Sequence, residues 1–369
     1  MLPMRRNLAA YLAEFAGTAI MLFIGVSAVA FMWAPTSPVP AVPNAALRRL
    51  LTGILFAGGA TAVVYSPLGQ ISGAHINPAV TLAFWRLGKV PSRDAVIYVL
   101  VQFLGALLGA WAAGAAWGPL TTGVHYAVTV PGDGYSQAGA LAAETAITFL
   151  LVFTIFICVN KPRLAPRTGL IAGTLVAFLV MIEAPVTGTS LNPARTMGPA
   201  VLASNYTALW VYFAGPVFGA LIAVGAFQGQ WGGQTVCAKL YHTEKYPCPF
   251  ETCQYRLASA GEIVMNEGEV GSEAYVLERG ALEVRRGGAG PGAVTLARLG
   301  RGDWVGEMSL LLDEPRSATV VALTDAQLRR VTRQDMAHVL TADPGRTEDL
   351  LRQLARRVKA ANDRVAGNA

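Results

Sequence analysis

Six long apolar segments constrain this chain before anything else does. They run over about residues 9–32, 48–68, 95–117, 139–159, 168–186 and 207–230. A helix needs about 20 predominantly apolar residues to cross a ~30 Å hydrocarbon core. Only helices or closed barrels satisfy their backbone there. The charge is distributed accordingly. Residues 1–236 hold 11 Lys and Arg and 5 Asp and Glu, whereas residues 237–369 hold 18 of each. A soluble domain is about one quarter charged, so the second region fits that description and the first does not. The net charge of +6 lies wholly in the first region. It therefore marks loops beside a membrane rather than a nucleic-acid surface, and no nucleic-acid partner is expected. The first apolar stretch, Leu8 to Trp33, is too long for the core of a cleaved signal and reads as the first span.

Cationic loops set the orientation. Arg5, Arg6, Arg86, Lys89, Arg93, Lys161, Arg163, Arg167, Lys239 and Lys245 fall on one side, and Arg48, Arg49 and Arg195 on the other. This places both termini in the cytoplasm, with a bacterial inner or plasma membrane as the expected location. Glu14, Glu144 and Glu183 interrupt the spans. An intramembrane carboxylate is costly unless it faces protein or water, so all three are expected to point inward. Gly105 and Gly109 suit close helix contact.

Two moderately apolar segments, 77–87 and 192–203, are too short to span. About 11 residues of helix cover ~16 Å, half the hydrocarbon thickness. They read as re-entrant half-helices. Each opens on the same triplet, Asn77-Pro78-Ala79 and Asn192-Pro193-Ala194. Asparagine suits the N-cap, and proline suits the first turn, where an N–H has no helical partner. A Glu-led helix precedes each triplet, at Glu14 and Glu144. Each half then comprises three spans and one half-helix, and an odd number of spans makes the second half inverted in the membrane. The half-helices enter from opposite faces and meet near the midplane. Their positive ends oppose cations and protons there.

The segments Ser72-Gly73-Ala74-His75-Ile76-Asn77-Pro78-Ala79-Val80-Thr81 and Gly188-Thr189-Ser190-Leu191-Asn192-Pro193-Ala194-Arg195 resemble the two signature loops of the major intrinsic protein family, the aquaporins and glycerol facilitators. The resemblance covers about residues 5–236. It implies a homotetramer of separately conducting protomers. It also implies a selectivity filter at Ala57, Val180, Thr189 and Arg195, with Arg195 as the cation-excluding donor. Water-selective relatives carry phenylalanine and histidine at the first two positions. Phe56 adjoins the first, so a one-residue shift would change that reading. Taken literally, the filter is wide and bears one charge. Water, glycerol, urea, ammonia, hydrogen peroxide and undissociated metalloid acids all stay open as solutes. The segment Asn192–Ala200, with Tyr206 and Trp210-Val211-Tyr212, is similar to the plant nodulin-type branch and its bacterial relatives.

Between the regions, residues 237–254 form an expected cytoplasmic linker. Cys237, His242, Cys248 and Cys253 follow a C-x4-H-x5-C-x4-C spacing that fits no common zinc framework. Two readings stand: a zinc site, or reduced structural thiols.

From about Tyr255 the pattern changes to short strands separated by glycines, as at 274–277, 281–285, 294–297 and 319–322. Such spacing predicts a small antiparallel barrel or jelly roll. A helix is expected over 347–366, with Leu350, Leu351, Leu354 and Val358 on one face. The run Gly302 to Val320 resembles the phosphate-binding cassette of cyclic nucleotide-binding domains. That resemblance covers about 255–366 and implies cyclic AMP or cyclic GMP as a regulatory ligand. Gly306, Met308 and Ser309 would offer backbone groups, Glu307 would accept from the ribose 2′-hydroxyl, Arg316 would meet the phosphate, and Ser317 would add a phosphate contact or favour the guanine form. Val305 and Ser309 stand where the family usually has phenylalanine and alanine.

The expected architecture is therefore an all-α membrane domain (1–236; six spans, two half-helices, inverted repeat), a linker, and a soluble β-jelly-roll domain with flanking helices (255–369). The expected function is a passive channel regulated by cyclic nucleotide. The competing reading is a membrane-anchored nucleotide sensor or assembly module with a vestigial or constitutively open pore. An enzyme is not expected, since no nucleophile–base or P-loop spacing is present.

Overall fold

The computed structural model describes residues 2–161, 163–231, 237–242, 246, 248–250, 255–288, 290, 292–342 and 344–367. The chain divides into two compact units, Met1–Cys253 and Gln254–Ala369.

The first unit is helical. Its long helices are α1 (Leu2–Trp33), α2 (Ala45–Tyr65), α5 (Ser92–Trp117), α7 (Gln137–Val159), α8 (Thr168–Thr187) and α10 (Val211–Trp231). All six are long and apolar enough to cross a membrane. Short helices α3 (Pro67–Ser72) and α6 (Pro119–Thr122) lie between them. The half-length helices are α4 (Pro78–Arg86) and α9 (Pro193–Ala203). Asn77 and Asn192 cap them, and proline occupies the first turn of each.

The repeat is visible in the packing. Helix α5 lies on α1, and α10 lies on α7. Glycines permit both contacts. A β-carbon on Gly109 would come within 2.1 Å of the Ala19 carbonyl, and one on Gly219 within 2.4 Å of the Thr145 carbonyl. The opposite face of α5 carries exposed Leu100, Leu104, Leu108 and Trp111 at helical spacing. That apolar face suits lipid rather than water. Glu14, Glu144 and Glu183 are all buried, as an inward-facing role requires.

The second unit is two four-stranded antiparallel sheets, ordered β1-β8-β3-β6 and β2-β7-β4-β5. The strands are β1 (Tyr255–Ala258), β2 (Ile263–Met265), β3 (Glu273–Arg279), β4 (Leu282–Arg286), β5 (Val294–Leu299), β6 (Trp304–Val305), β7 (Thr319–Ala322) and β8 (Ala326–Thr332). Leu277, Leu282, Leu299, Val320 and Leu328 fill the space between them. Helices α11 (Glu307–Leu312), α12 (Arg333–Ala342) and α13 (Pro344–Gly367) complete the unit.

Two expectations change. Leu350 and Leu354 of α13 pack inward with Trp304, Leu310 and Met336, but Leu351 and Val358 are exposed. The inward stripe of α13 is narrow, and Gln353 and Arg357 share it. The linker also differs. Ala238, Leu240 and Phe250 belong to the hydrophobic core of the first unit, because apolar side chains there have a helical surface to cover.

Replacing Gly109 with valine should lower stability by about 1–3 kcal/mol through overpacking against α1. The reading is the melting temperature of the purified protein in detergent. An unchanged temperature would mean that α5 does not approach α1 so closely.

Candidate functional site

Four residues that precede the half-helices adopt positive φ: Ala74 (54°) and Ile76 (41°), then Thr189 (55°) and Leu191 (55°). A left-handed conformation is unfavourable for non-glycine residues, most of all a β-branched isoleucine. Buried carboxylates hold both loops in place. Glu14 Oε1 accepts from the Ile76 N–H and from Gln102 Nε2. Glu144 accepts from the Ser190 N–H at 2.8 Å and the Leu191 N–H at 2.9 Å. The Thr187 hydroxyl lies 2.7 Å from Glu144 and 2.5 Å from Glu183.

The asparagines use both ends of their amides. Asn77 Oδ1 accepts from the Ala79 N–H at 2.8 Å, and Nδ2 donates to the Leu191 carbonyl at 2.9 Å. Asn192 Oδ1 accepts from Ala194 N–H at 3.0 Å, and Nδ2 donates to the Ile76 carbonyl at 2.9 Å. Each amide thus caps its own helix and braces the opposite loop. A primary amide has two N–H donors, so one per asparagine remains to face the cavity that both line.

Two cavities follow. The outer, of about 400 Å³, is lined by Phe56, Val180, Thr189 and Arg195 among others. The inner, of about 110 Å³, is lined by Ala57, His75, Asn77, Asn192 and Arg195 among others. Arg195 is buried, donates Nη1 to the Ala127 carbonyl at 2.8 Å, and lies 5.1 Å over the Phe56 ring. Thr189 Oγ1 is buried with no hydrogen-bond partner among the described residues. Val180, Thr189 and Arg195 thus meet at the outer cavity. Phe56, rather than the expected Ala57, lines it next to Arg195, with Trp33 as a second aromatic side. A residue one step along a helix is turned by about 100°, but the long phenylalanine side chain still reaches the site.

The nucleotide candidates lie in the second unit. Gly306 takes φ +76° and precedes α11. Arg316 is buried, donating Nη1 to the Gly306 carbonyl at 2.8 Å and Nη2 to the Glu273 carbonyl at 2.5 Å. Gly271 leaves room for it, since a β-carbon there would sit 2.2 Å from the guanidinium. A guanidinium carries five N–H donors, so donors remain for a phosphate. Glu307 is buried, with Oε1 accepting from Arg357 Nη1 at 2.5 Å. Its Oε2 is buried with no partner among the described residues, which fits an acceptor awaiting a hydroxyl. Ser309 is buried, Met308 is 41% exposed, and Ser317 is exposed. Arg357 and Gln353 of α13 were not anticipated. Arg357 Nη2 and Gln353 Nε2 both donate to the Trp304 carbonyl at 2.7 Å. Their signal was available: 350, 353, 354 and 357 form one helical stripe, and a charge on an inward stripe demands a partner.

Cys237 Sγ lies 3.4 Å from His242 Nδ1 and 3.9 Å from Cys248 Sγ. Cys253 is outside the described residues. Among the described residues no group of three or more His, Cys, Asp or Glu is arranged to hold a metal ion. The zinc reading is therefore not supported. Cys237 instead accepts from the Lys239 N–H at 3.4 Å, a contact that tightens a turn.

Residues 2–227 match the family model "Major intrinsic protein". The chain belongs to the major intrinsic protein family. Residues 255–343 match the model "Cyclic nucleotide-binding domain", so the chain is a major intrinsic protein fused to that domain. Aquaporin NIP6-1 of Arabidopsis thaliana is 38% identical over 216 residues, 58% of this chain and 66% of that protein. This chain thus spans just under two thirds of that relative's length. Probable aquaporin AqpM of Archaeoglobus fulgidus is 38% identical over 234 residues, 58% of this chain and 93% of that protein. The aquaglyceroporin structure from Plasmodium falciparum superposes with a TM-score of 0.51 at 20% identity, covering 60% of this chain and 95% of that one, which shows the fold.

Replacing Phe56 with alanine should raise the ratio of glycerol to water permeability in proteoliposomes, because it removes the ring beneath Arg195 and widens the cavity there; an unchanged ratio would place the constriction elsewhere. Replacing Glu307 with glutamine should weaken cyclic nucleotide binding to the full chain by about 10- to 100-fold, the worth of one charged hydrogen bond. Burial raises the Glu307 carboxyl above the usual range, and the Arg357 cation offsets only part of this. Protonation removes the acceptor charge, so affinity should fall with decreasing pH at a higher pH than an ordinary glutamate would give. Titration calorimetry across pH checks this, and the glutamine variant should lack the dependence.

Proposed function

We propose that this chain is a passive channel for water and small uncharged solutes such as glycerol, urea or undissociated metalloid acids, regulated by a cyclic nucleotide. The observation that carries the reading is the braced pair of half-helix N-termini with Arg195 beside them. Two positive dipole ends and a buried guanidinium on one path oppose cations. The asparagine amides and Arg195 offer donors to a passing oxygen. The outer cavity is amphipathic: Phe56 and Val180 form an apolar wall, and Arg195 and Thr189 a polar edge. A polyol or urea lays its carbon side on the first and its oxygens on the second.

Cyclic AMP or cyclic GMP is the proposed ligand of the second unit. Arg316 would receive the phosphate. Glu307 would receive the ribose hydroxyl while keeping or exchanging Arg357. Exchange would loosen the tie that Arg357 makes from α13 to Glu307 and so couple occupancy to the helix. A ligand shifts a conformational equilibrium only through differential affinity for its states. The proposed setting is a homotetramer with both termini in the cytoplasm.

The test is osmotic stopped-flow on proteoliposomes with water, glycerol and urea, with and without each nucleotide. Expected outcomes are permeability above empty liposomes and a rate that changes with one nucleotide. Arg195→Val should keep water flux while admitting small cations, read as an ion leak. Permeability no greater than in empty liposomes would favour the anchored-sensor reading with a vestigial pore. Identical rates with saturating nucleotide would leave a constitutively open channel.

A further inference from the structure

The chain beyond α10 does not leave the helical unit. Ala238, Lys239 and Leu240 are each no more than 6% exposed, although they follow the last span and include a lysine. Their partners are the residues that lead into the first half-helix. His75 Nε2 and the Ala238 carbonyl lie 2.7 Å apart. The Leu240 N–H donates to the Gly73 carbonyl at 3.0 Å. Lys239 Nζ donates to the Gln70 carbonyl and, at 2.9 Å, to the Tyr246 carbonyl.

Aromatic contacts add to these. Tyr241 packs edge-on to Tyr65 at 4.9 Å, and Phe250 lies 5.8 Å from the His75 ring and 5.3 Å from Tyr98. Gly73 has φ +97°, and a β-carbon there would press on Lys239 Cγ and the Ala238 carbonyl at 3.2 and 3.3 Å. The mouth is thus shaped to take this segment. Leu240 lines the inner cavity together with His75, Asn77 and Val80.

We propose that residues 237–242, anchored by Lys239 and backed by Phe250, are an internal plug that closes the pore mouth formed by Gln70–Ile76. Conduction then requires this segment to undock. The proposal rests on the channel reading and adds its gate. The energetic design suits a switch. Burying a lysine ammonium is costly unless its hydrogen bonds are met, and here backbone carbonyls meet them, so the docked state depends on a few removable contacts. The apolar Leu240 offers nothing to a water file at the point where it meets the path. The same segment lies on the covalent route from the last span to the second unit, so a pull transmitted along the chain reaches it after Phe250.

The test uses the full chain in proteoliposomes without nucleotide, comparing the native protein with Lys239→Met and Leu240→Ser. Folding is checked by monodispersity and melting temperature in detergent. With an undocked population of ~1–10%, undocking raises water permeability by about 10- to 100-fold. Leu240→Trp, which keeps the site filled, should stay at or below the native rate. Native protein that already conducts as fast as the two undocking variants would overturn the plug and leave the channel reading intact. Native protein and both variants all at the level of empty liposomes would overturn the channel reading, and the plug with it. If Lys239→Met fails to fold, Leu240→Ser against Leu240→Trp decides alone: equal rates overturn the proposal.

Discussion

Two buried carboxylates carry the architecture of the pore. Glu14 and Glu144 each accept backbone N–H groups from a loop that would otherwise be strained and unsatisfied. Positive φ at Ile76 and Leu191 turns the carbonyls of those residues toward the opposite asparagine. Without the carboxylates, the loops would have no reason to hold that shape in an apolar surround. The two braces would then be lost, and with them the placement of both half-helix ends. Buried polar groups are costly unless hydrogen-bonded, and here Glu144 uses both oxygens on the loop that it holds, whereas Glu14 uses Oε1 and leaves Oε2 without a partner among the described residues.

The inverted repeat explains why the arrangement is twofold. Glu14, Ile76 and Asn77 in one half do what Glu144, Leu191 and Asn192 do in the other. Departures from the symmetry are where the function lies. Val80 follows the first triplet and Arg195 the second, so a buried guanidinium beside the second triplet sits toward the outer cavity. The described part of the segment after α10 packs at the Gln70–Ile76 mouth. One end of the path is therefore a charged, amphipathic vestibule, and the other meets a leucine.

Much of this was legible in the chain. The six spans, both half-helices, the inward carboxylates and the change of pattern near Tyr255 follow from periodicity, length and charge. These depend on local chemistry, so they survive without coordinates. The aromatic wall was less legible. Spacing points at Ala57, and the choice between it and Phe56 depends on how a side chain is aimed across a cavity. The helical stripe of 350, 353, 354 and 357 shows that Arg357 needs a partner, but not which one: Glu307 lies 50 residues away in sequence.

The sequence by itself determined the membrane class, the inverted repeat, the capped half-helices and the jelly roll, because each is written in short-range patterns of apolarity, capping residues and turns. Tertiary structure alone decided which residues share a space. It set Phe56 against Arg195, left Glu307 with one acceptor oxygen bound and one open, and drew Cys237, His242 and Cys248 together without forming a metal site among the described residues. It also turned an expected linker into buried structure. A lysine in a polar-looking connector carries no sign that a backbone carbonyl 169 residues away will receive its ammonium. That pairing exists only once the helices have made a mouth for it to enter.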